Sequence, residues 1–415
     1  MRLHWGAATG LLAGVIISLG GCDDFKSNPT AAQTANAVPA NAVLANAAPP
    51  NAAPANAAAP SGEVVPVAPA AVTQPPSLLQ SRSGEPEHTL APPLTLVTSE
   101  GSATPEAKVI DGADFASRRT AAARRGVLIR AQVILDRAHF SPGVIDGRNG
   151  TNFRRALSAF EAANNVAAST TGGLATLDAA GWQALTAADS SPVTQDYVIK
   201  PEDVKGPFLG TVPTAMVDLA KLPYLGYTTP VQALAEKFHM DETLLRALNP
   251  KIDFSVAGTS IVVVRPSAAP LPPVARVEVD KSIDEVRAYD AAGKIVAMFP
   301  ATVGSRERPA PSGQYAVRGV VTNPTYTYDP SRLTFGNAAG GKLTIQPGPN
   351  NPVGSTWIDL TIETYGIHGA PDPTQIGKTA SHGCVRLTNW DAAALGRAVK
   401  KGTPVLFIGA QSRKA

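Results

Sequence analysis

Cysteine is scarce in this chain: Cys22 and Cys384 are the two present in 415 residues. One intrachain disulfide is the most the sequence allows, so a disulfide-stapled scaffold is excluded. An excess of one charge sign is lacking too. Lys and Arg number 36 against 33 Asp and Glu, a net charge of +3. That balance offers no basic surface for phosphate backbones, and no nucleic-acid partner is expected. A membrane-length apolar run is also wanting. Residues 7–20 are apolar or small, too short a stretch for a comfortable span but of the size of an export signal. Metal-ligand clusters are thin as well. Near Cys384 stand two histidines, His368 and His382, with Asp372 the carboxylate between them. That set makes a poor zinc site, and neither metal nor cofactor is expected.

What is present begins with MRLHWGAATGLLAGVIISLGGC, where Arg2 supplies a positive start. Leu19-Gly20-Gly21-Cys22 resembles a lipobox, the place where a signal peptidase cuts before a cysteine that receives lipid. The resemblance implies a signal peptide over 1–21 and lipid on Cys22. Several acyl chains hold a protein to a membrane far better than one does. Asp23 and Asp24 follow, and an aspartate there resembles the inner-membrane cue of Gram-negative lipoproteins. The expectation is a lipid-anchored, periplasm-facing protein, inner membrane favoured over outer because of Asp23. A plain signal or anchor is the alternative. With Cys22 lipidated, Cys384 has no partner in a compartment that favours disulfides. A lone thiol there needs a task, deep burial or an intermolecular disulfide.

Residues 22–108 read as a disordered tether, because NAVPANAVLANAAPPNAAPANAAAP is nearly all Ala, Asn and Pro. Residues 109–190 have helical character. RRGVLIRAQVILDRAHF and TNFRRALSAFEAANNV are helices around the turn-rich SPGVIDGRNG, with Thr151 or Asn152 as the second helix's cap. LDAAGWQALT, capped by Asp178, is a third. The order resembles the small three-helix peptidoglycan-binding domain of cell-wall enzymes; a helical spacer is the alternative. Residues 191–223 read as a linker. Residues 224–266 carry two helices (VQALAEKF, DETLLRALN) and a strand (SIVVV) behind a poorly defined opening strand. That β-α-α-β order resembles a LysM module, which grips glycan. His239 there reads as a surface or capping histidine. Residues 267–274 are a Pro-rich hinge by composition.

From 275 to 410 the period changes to the alternation of strands, with turns rich in Gly, Pro and Asn between them. NWDAAALGRAVKKG is the one clear helix, capped by Asn389 or Asp391 and closed by Gly402. Within this β region lies IHGAPDPTQIGKTASHGCVRL, residues 367–387. If the segment is extended, His382 and Cys384 leave the same face. A thiolate attacking a carbonyl needs a base, a group that orients the base, and donors aimed at the oxyanion. Cys384 is the candidate nucleophile and His368 and His382 are candidate bases. The backbone N–H groups of Gly383 and Cys384 are candidate oxyanion donors. Spacing alone does not choose between the histidines. A metal site and an inert buried cysteine are the bland alternatives.

This stretch resembles the signature of the YkuD-type L,D-transpeptidase domain: a histidine, then at a distance SHGC and a basic or amide residue. ATVG…RERPAPSGQY, NPTYTYDP and PGPNNPVG upstream agree. The resemblance implies a multidomain chain: a mostly-β catalytic domain with a side helix, the three-helix domain, an α+β LysM-like module and the tether. It implies Cys384 as the acylated nucleophile and His368 as the base, held in its tautomer by the backbone carbonyl of Gly369. It implies His382 as pocket and oxyanion support, with Gly383 as backbone donor. Arg386, Ser381, Tyr326 and Tyr328 fall on the substrate side. The implied partners are peptidoglycan stem peptides and glycan, and the implied reaction is a two-step acyl transfer that makes 3-3 cross-links. An envelope protein, a free D-amino acid or water are alternative acceptors. A catalytically inactive wall-binding scaffold is the alternative of another class.

Overall fold

This computed structural model describes residues 104–305, 308–329, 341–379, 381 and 383–411. The expected signal segment, Cys22, most of the tether and His382 lie outside the described residues. Helix starts sooner than the composition suggested. α1 (Pro105–Asp111) already forms inside the expected tether, capped by Thr104, whose hydroxyl accepts from the Ala107 N–H at 3.3 Å. Pro105 costs this helix nothing, because its missing N–H would have no partner in the first turn.

α2 (Ala121–Arg137), α3 (Thr151–Ala163), the short strands β1 (Thr170–Thr171) and β2 (Leu174–Ala175), and α4 (Ala179–Ala188) follow. Asp178 caps α4. The cap of α3 is Gly150, not Thr151 or Asn152. The Asn152 amide is used elsewhere, donating to the Ile376 carbonyl at 2.8 Å.

The expected linker 191–223 is not a linker. It carries β3 (Thr194–Val198), α5 (Pro201–Val204) and α6 (Met216–Leu219), ahead of α7 (Pro230–Lys237), α8 (Glu242–Leu248) and β4 (Ser260–Val264). β3 pairs antiparallel with β4 and so supplies the opening strand of the β-α-α-β unit. Its sequence, TQDYV, has little apolar signal, which is why composition placed it in a connection. The rest of the stretch runs over the C-terminal domain as a strap. Leu225 donates to the Pro347 carbonyl at 2.8 Å and accepts from Asn350 N–H at 3.0 Å, while Leu219 and Leu225 share a small core with Ile345.

The helical region and the β-α-α-β unit bury one common core, in which Leu135, Phe153 and Leu157 meet Leu234, Phe238 and Val263. Met298 of the C-terminal domain joins it. Backbone bonds cross the same boundaries. Ser141 N–H donates to Met298 O at 2.8 Å, Met298 N–H to His139 O at 3.0 Å, and Ile145 N–H to His239 O at 2.8 Å. The expected hinge 267–274 is pinned at both ends. Ser267 N–H donates to the Asp136 carboxylate at 2.7 Å and Val274 N–H to Ala398 O at 3.4 Å.

The C-terminal domain contains β5 (Arg276–Asp280), β6 (Glu285–Tyr289), β7 (Ile295–Pro300), β8 (Thr302–Val303), β9 (Gly313–Thr322), β10 (Tyr326–Tyr328), β11 (Leu343–Ile345), β12 (Thr356–Leu360), β13 (Gly366–His368), β14 (Val385–Arg386), α9 (Asn389–Ala398) and β15 (Pro404–Ile408). Among the described residues, nine strands form one sheet in the order β7-β6-β5-β15-β9-β12-β13-β14-β8. β10 and β11 form a separate hairpin. α9 lies on β12 and is capped by Thr388, which accepts from Asp391 N–H at 3.1 Å, not by Asn389 or Asp391. It ends at Ala398, and Gly402 belongs to the turn beyond. Gly396 lets the helix approach: a Cβ there would stand 3.1 Å from the Thr356 and Val320 side chains.

Candidate active site

Register assembles the site. β12, β13, β14 and β8 align Trp357, His368, Arg386 and Thr302 in one cross-strand row. Paired residues share a face, and residues two apart along a strand share it too. Ile367 and Val385, opposite each other, therefore point the other way and are fully buried in the core. Cys384 precedes Val385, so it sits level with Gly366 and on the face that carries His368 and Arg386. Two positions along a strand put the Cys384 and His368 rows roughly 7 Å apart.

His368 is 3% exposed. Its Nδ1 lies 2.6 Å from the Gly369 carbonyl oxygen. A carbonyl can only accept, so Nδ1 carries the proton and Nε2 keeps its lone pair. The ring stacks on Trp357, centroids 5.3 Å apart and planes 21° from parallel. Burial first, and the Arg386 charge second, push its pKa down to about 3, against the pull of the Gly369 and Val353 carbonyls. The imidazole is therefore neutral across the physiological range, with the Nε2 lone pair unprotonated.

Cys384 is half-buried and free. Its sulfur lies 3.6 Å from the Thr364 carbonyl oxygen, so in this arrangement the thiol donates there and not to His368. Burial pushes the thiol up from its usual range, while a backbone hydrogen bond from Gly366 and the Arg386 charge oppose that. Thr364 holds φ at +66°, an unfavourable conformation for a β-branched residue, with its carbonyl against the Cys384 sulfur. Gly383 has φ at +121°, where a side chain is strained, and a Cβ would also stand 3.1 Å from the Tyr365 hydroxyl.

Ser381 takes a different part from the one expected. It is 2% exposed. Its hydroxyl donates to the Cys384 carbonyl at 2.6 Å and accepts from Gly383 N–H at 3.4 Å. It ties together the turn that leads into Cys384, with its hydroxyl turned inward. The same contact engages the Gly383 N–H expected as an oxyanion donor, though through a long bond. Tyr326 lies close enough to Cys384 and Arg386 for their charges to act on its phenol. Tyr328 is buried on the same hairpin, opposite Leu343, and packs in the interior. Arg386 has no carboxylate partner among the described residues. It lines a cavity of about 660 Å³ with Val212 and Leu219 of the strap and with Pro352 and Ala370.

The family model for the YkuD L,D-transpeptidase catalytic domain matches residues 275–406. Bacillus licheniformis YkuD, named as an L,D-transpeptidase, is 27% identical over 180 residues, 42% of this chain and 91% of that protein. Bacillus subtilis YqjB, named likewise, is 30% identical over 143 residues, 33% of this chain and 73% of its own. The chain belongs to the YkuD L,D-transpeptidase family. A solved L,D-transpeptidase from Mycobacterium smegmatis is 20% identical, with 37% of this chain covering 65% of that one at a TM-score of 0.27, a likeness too small to add weight.

Several parts of this YkuD-family site were not visible in the sequence. Trp357 as the plate under His368, the Thr364 carbonyl under the sulfur and the strap over Arg386 all depend on register or on distant segments. Gly366 held a readable hint, since a glycine two before a candidate base marks a close approach. A Cβ there would stand 2.5 Å from the Trp357 ring.

Proposed function

We propose that the chain is a cysteine-dependent L,D-transpeptidase acting on peptidoglycan. The observation that carries the reading is the shared face of Cys384, His368 and Arg386, with an imidazole left neutral and its tautomer held by the Gly369 carbonyl.

Cys384 turns from the Thr364 carbonyl toward the donor stem. Its sulfur attacks the L-centre carbonyl before the terminal D-alanine, and His368 takes the thiol proton. The tetrahedral intermediate collapses, the amide C–N bond breaks, and the imidazolium returns the proton to the departing D-alanine amine. A thioester remains. The side-chain amine of a second stem then attacks it, His368 accepts the amine proton and returns it to sulfur, and a 3-3 cross-link results. The donor's acyl bond energy is held in the thioester, so no nucleotide is consumed. Arg386 binds a substrate carboxylate at the mouth of its cavity, Tyr326 forms the adjoining wall, and His382 supports the pocket and oxyanion site. An envelope protein, a D-amino acid or water as acceptor would use the same acyl-enzyme. Lipid on Cys22 and the tether place the domain on the periplasmic face of a membrane, the inner one favoured by Asp23. The three-helix and LysM-like parts hold wall glycan near Cys384.

Intact-protein mass measurement with a carbapenem tests the chemistry. Wild type gains one adduct and Cys384→Ala gains none; a folded wild type without an adduct would sink the reading. Mass spectrometry of muropeptides incubated with the protein reads the acceptor.

A further inference from the structure

Asn389 opens α9 with its side chain buried under the strand ends that carry His368. Its Oδ1 accepts from Ser355 N–H at 3.1 Å. Gly369 and Gly354 press on that oxygen so closely that a Cβ at either would stand 2.2 Å from it. Its Nδ2 donates to Pro349 O at 3.1 Å and to the two carboxylate oxygens of Glu236 at 3.1 and 3.2 Å. Glu236 belongs to α7, outside the matched catalytic domain, which begins at residue 275. Tyr227 donates to the same carboxylate at 3.0 Å.

These contacts form a chain of three links between four residues. Glu236, with Pro349 O and Ser355 N–H, holds the Asn389 amide in one orientation. The amide fixes the Gly354–Ser355 turn and packs on the Gly369 peptide. The Gly369 carbonyl holds His368 Nδ1. Without the carboxylate, one amide hydrogen loses its acceptor, and the amide is held by the Ser355 N–H and Pro349 O alone. The oxygen packed on the Gly369 peptide can then shift, and a 2.6 Å hydrogen bond tolerates little movement of its acceptor.

We propose that Glu236 and Asn389 are a positioning pair for His368, so that the β-α-α-β unit completes the catalytic site from outside the catalytic domain. The proposal rests on the reading of His368 as the base that serves Cys384. Positioning of this kind acts on the chemical step and leaves ligand binding alone.

The test uses the full chain and three readouts: the carbapenem acylation rate constant, the carbapenem's noncovalent binding constant, and the Nδ1–H signal of His368. The last is seen by NMR after ¹⁵N-histidine labelling and assigned with His368→Gln. Glu236→Leu is expected to slow acylation about tenfold with binding unchanged and to shift the Nδ1–H signal. Glu236→Gln, which keeps an acceptor for Asn389, is expected to recover most of the rate and the wild-type signal. A folded Glu236→Leu variant with the wild-type rate and an unmoved signal overturns the proposal. So does a loss of rate in Glu236→Leu that Glu236→Gln does not recover. Should Glu236→Leu fail to fold, the isosteric Asn389→Asp loses both Nδ2 donors and carries the same expectations. If the wild type itself takes no adduct, the nucleophile reading falls, and the Nδ1–H signal alone decides for or against the pair.

Discussion

A thiol and an imidazole on one face can share their proton in two ways: as a preformed thiolate–imidazolium pair, or as a neutral pair that transfers the proton during attack. The surroundings of Cys384 favour the second. The thiol donates to a carbonyl and burial pushes it up, while burial and Arg386 hold His368 down to about 3. A base with so low a pKa stays unprotonated far below pH 6.5. Acylation should therefore be flat between pH 5 and 8, with no acid limb near the ordinary histidine value. Stopped-flow carbapenem acylation across that range checks this, and a limb with its midpoint near 6.5 would show His368 titrating normally. The same group sets a stability slope. Between about pH 3 and 6.5 the unfolded chain binds a proton that the folded His368 refuses, so this group makes stability rise with pH there, by ~1.4 kcal/mol per unit. His368→Gln should flatten that slope in thermal melts from pH 4.5 to 7. An unchanged slope would place the imidazole in a less buried state.

β13 is short and lies between two partners, so small errors in its packing reach the base directly. Gly366 is the sensitive point because the Trp357 ring covers it. Gly366→Ala should push Trp357 off His368, destabilise the domain by about 1–3 kcal/mol through overpacking, and slow acylation more than that loss of stability explains. Melting temperature and adduct formation rate, measured together, check this; wild-type values for both would mean the ring yields freely. Legibility at this scale follows the same line. The alternation over 275–410 and the SHGC turn could be read because their signals are local: a period of two, and a cysteine amid glycine and histidine. Ser381 could not be placed, since its hydroxyl turns inward only once the φ of Gly383 is fixed. β3 could not be placed because a polar TQDYV becomes a strand only beside SIVVV, far along the chain. Asn389 reads locally as a cap, the habit of its residue type, whereas its distant contacts with Glu236 and Pro349 govern it.

At the scale of the molecule, composition suggested modules on flexible joints, and the joints turn out to be packed. The core shared by the helices and the β-α-α-β unit, which Met298 joins, should make these two parts melt together, while the C-terminal domain keeps a core of its own around Val279, Ile358 and Leu395. Hydrogen exchange of the full chain is expected to give the helices and the β-α-α-β unit one common opening free energy, and clearly different values for the two would refute the shared core. The junction itself is polar and titratable. His239, expected as a surface or capping histidine, does close the end of α7, its N–H donating to Glu236 O at 3.1 Å, but its ring is largely covered: it stacks on Trp390 with centroids 4.8 Å apart and its Nδ1 lies 3.0 Å from Asp136 Oδ1. Asp391 lies beside this group, with Ser141 donating to it at 2.9 Å. Burial, and then the Asp136 charge, push Asp391 up to about 7, against Thr388, Ser141 and His239. A folded pKa raised above the unfolded 3.8 means the folded state binds the extra proton between these values. The stability this group contributes is thus full below pH 3.8 and is lost as pH rises through about 7. Asp391→Asn, which cannot ionise, should escape that loss. Relative to wild type, the variant's melting temperature should gain a few degrees between pH 5 and 8, from ~2 kcal/mol or more of titration over those units. A wild type–variant difference that stays constant with pH would show that Asp391 titrates in the ordinary carboxylate range and that the junction is wetter than its packing implies.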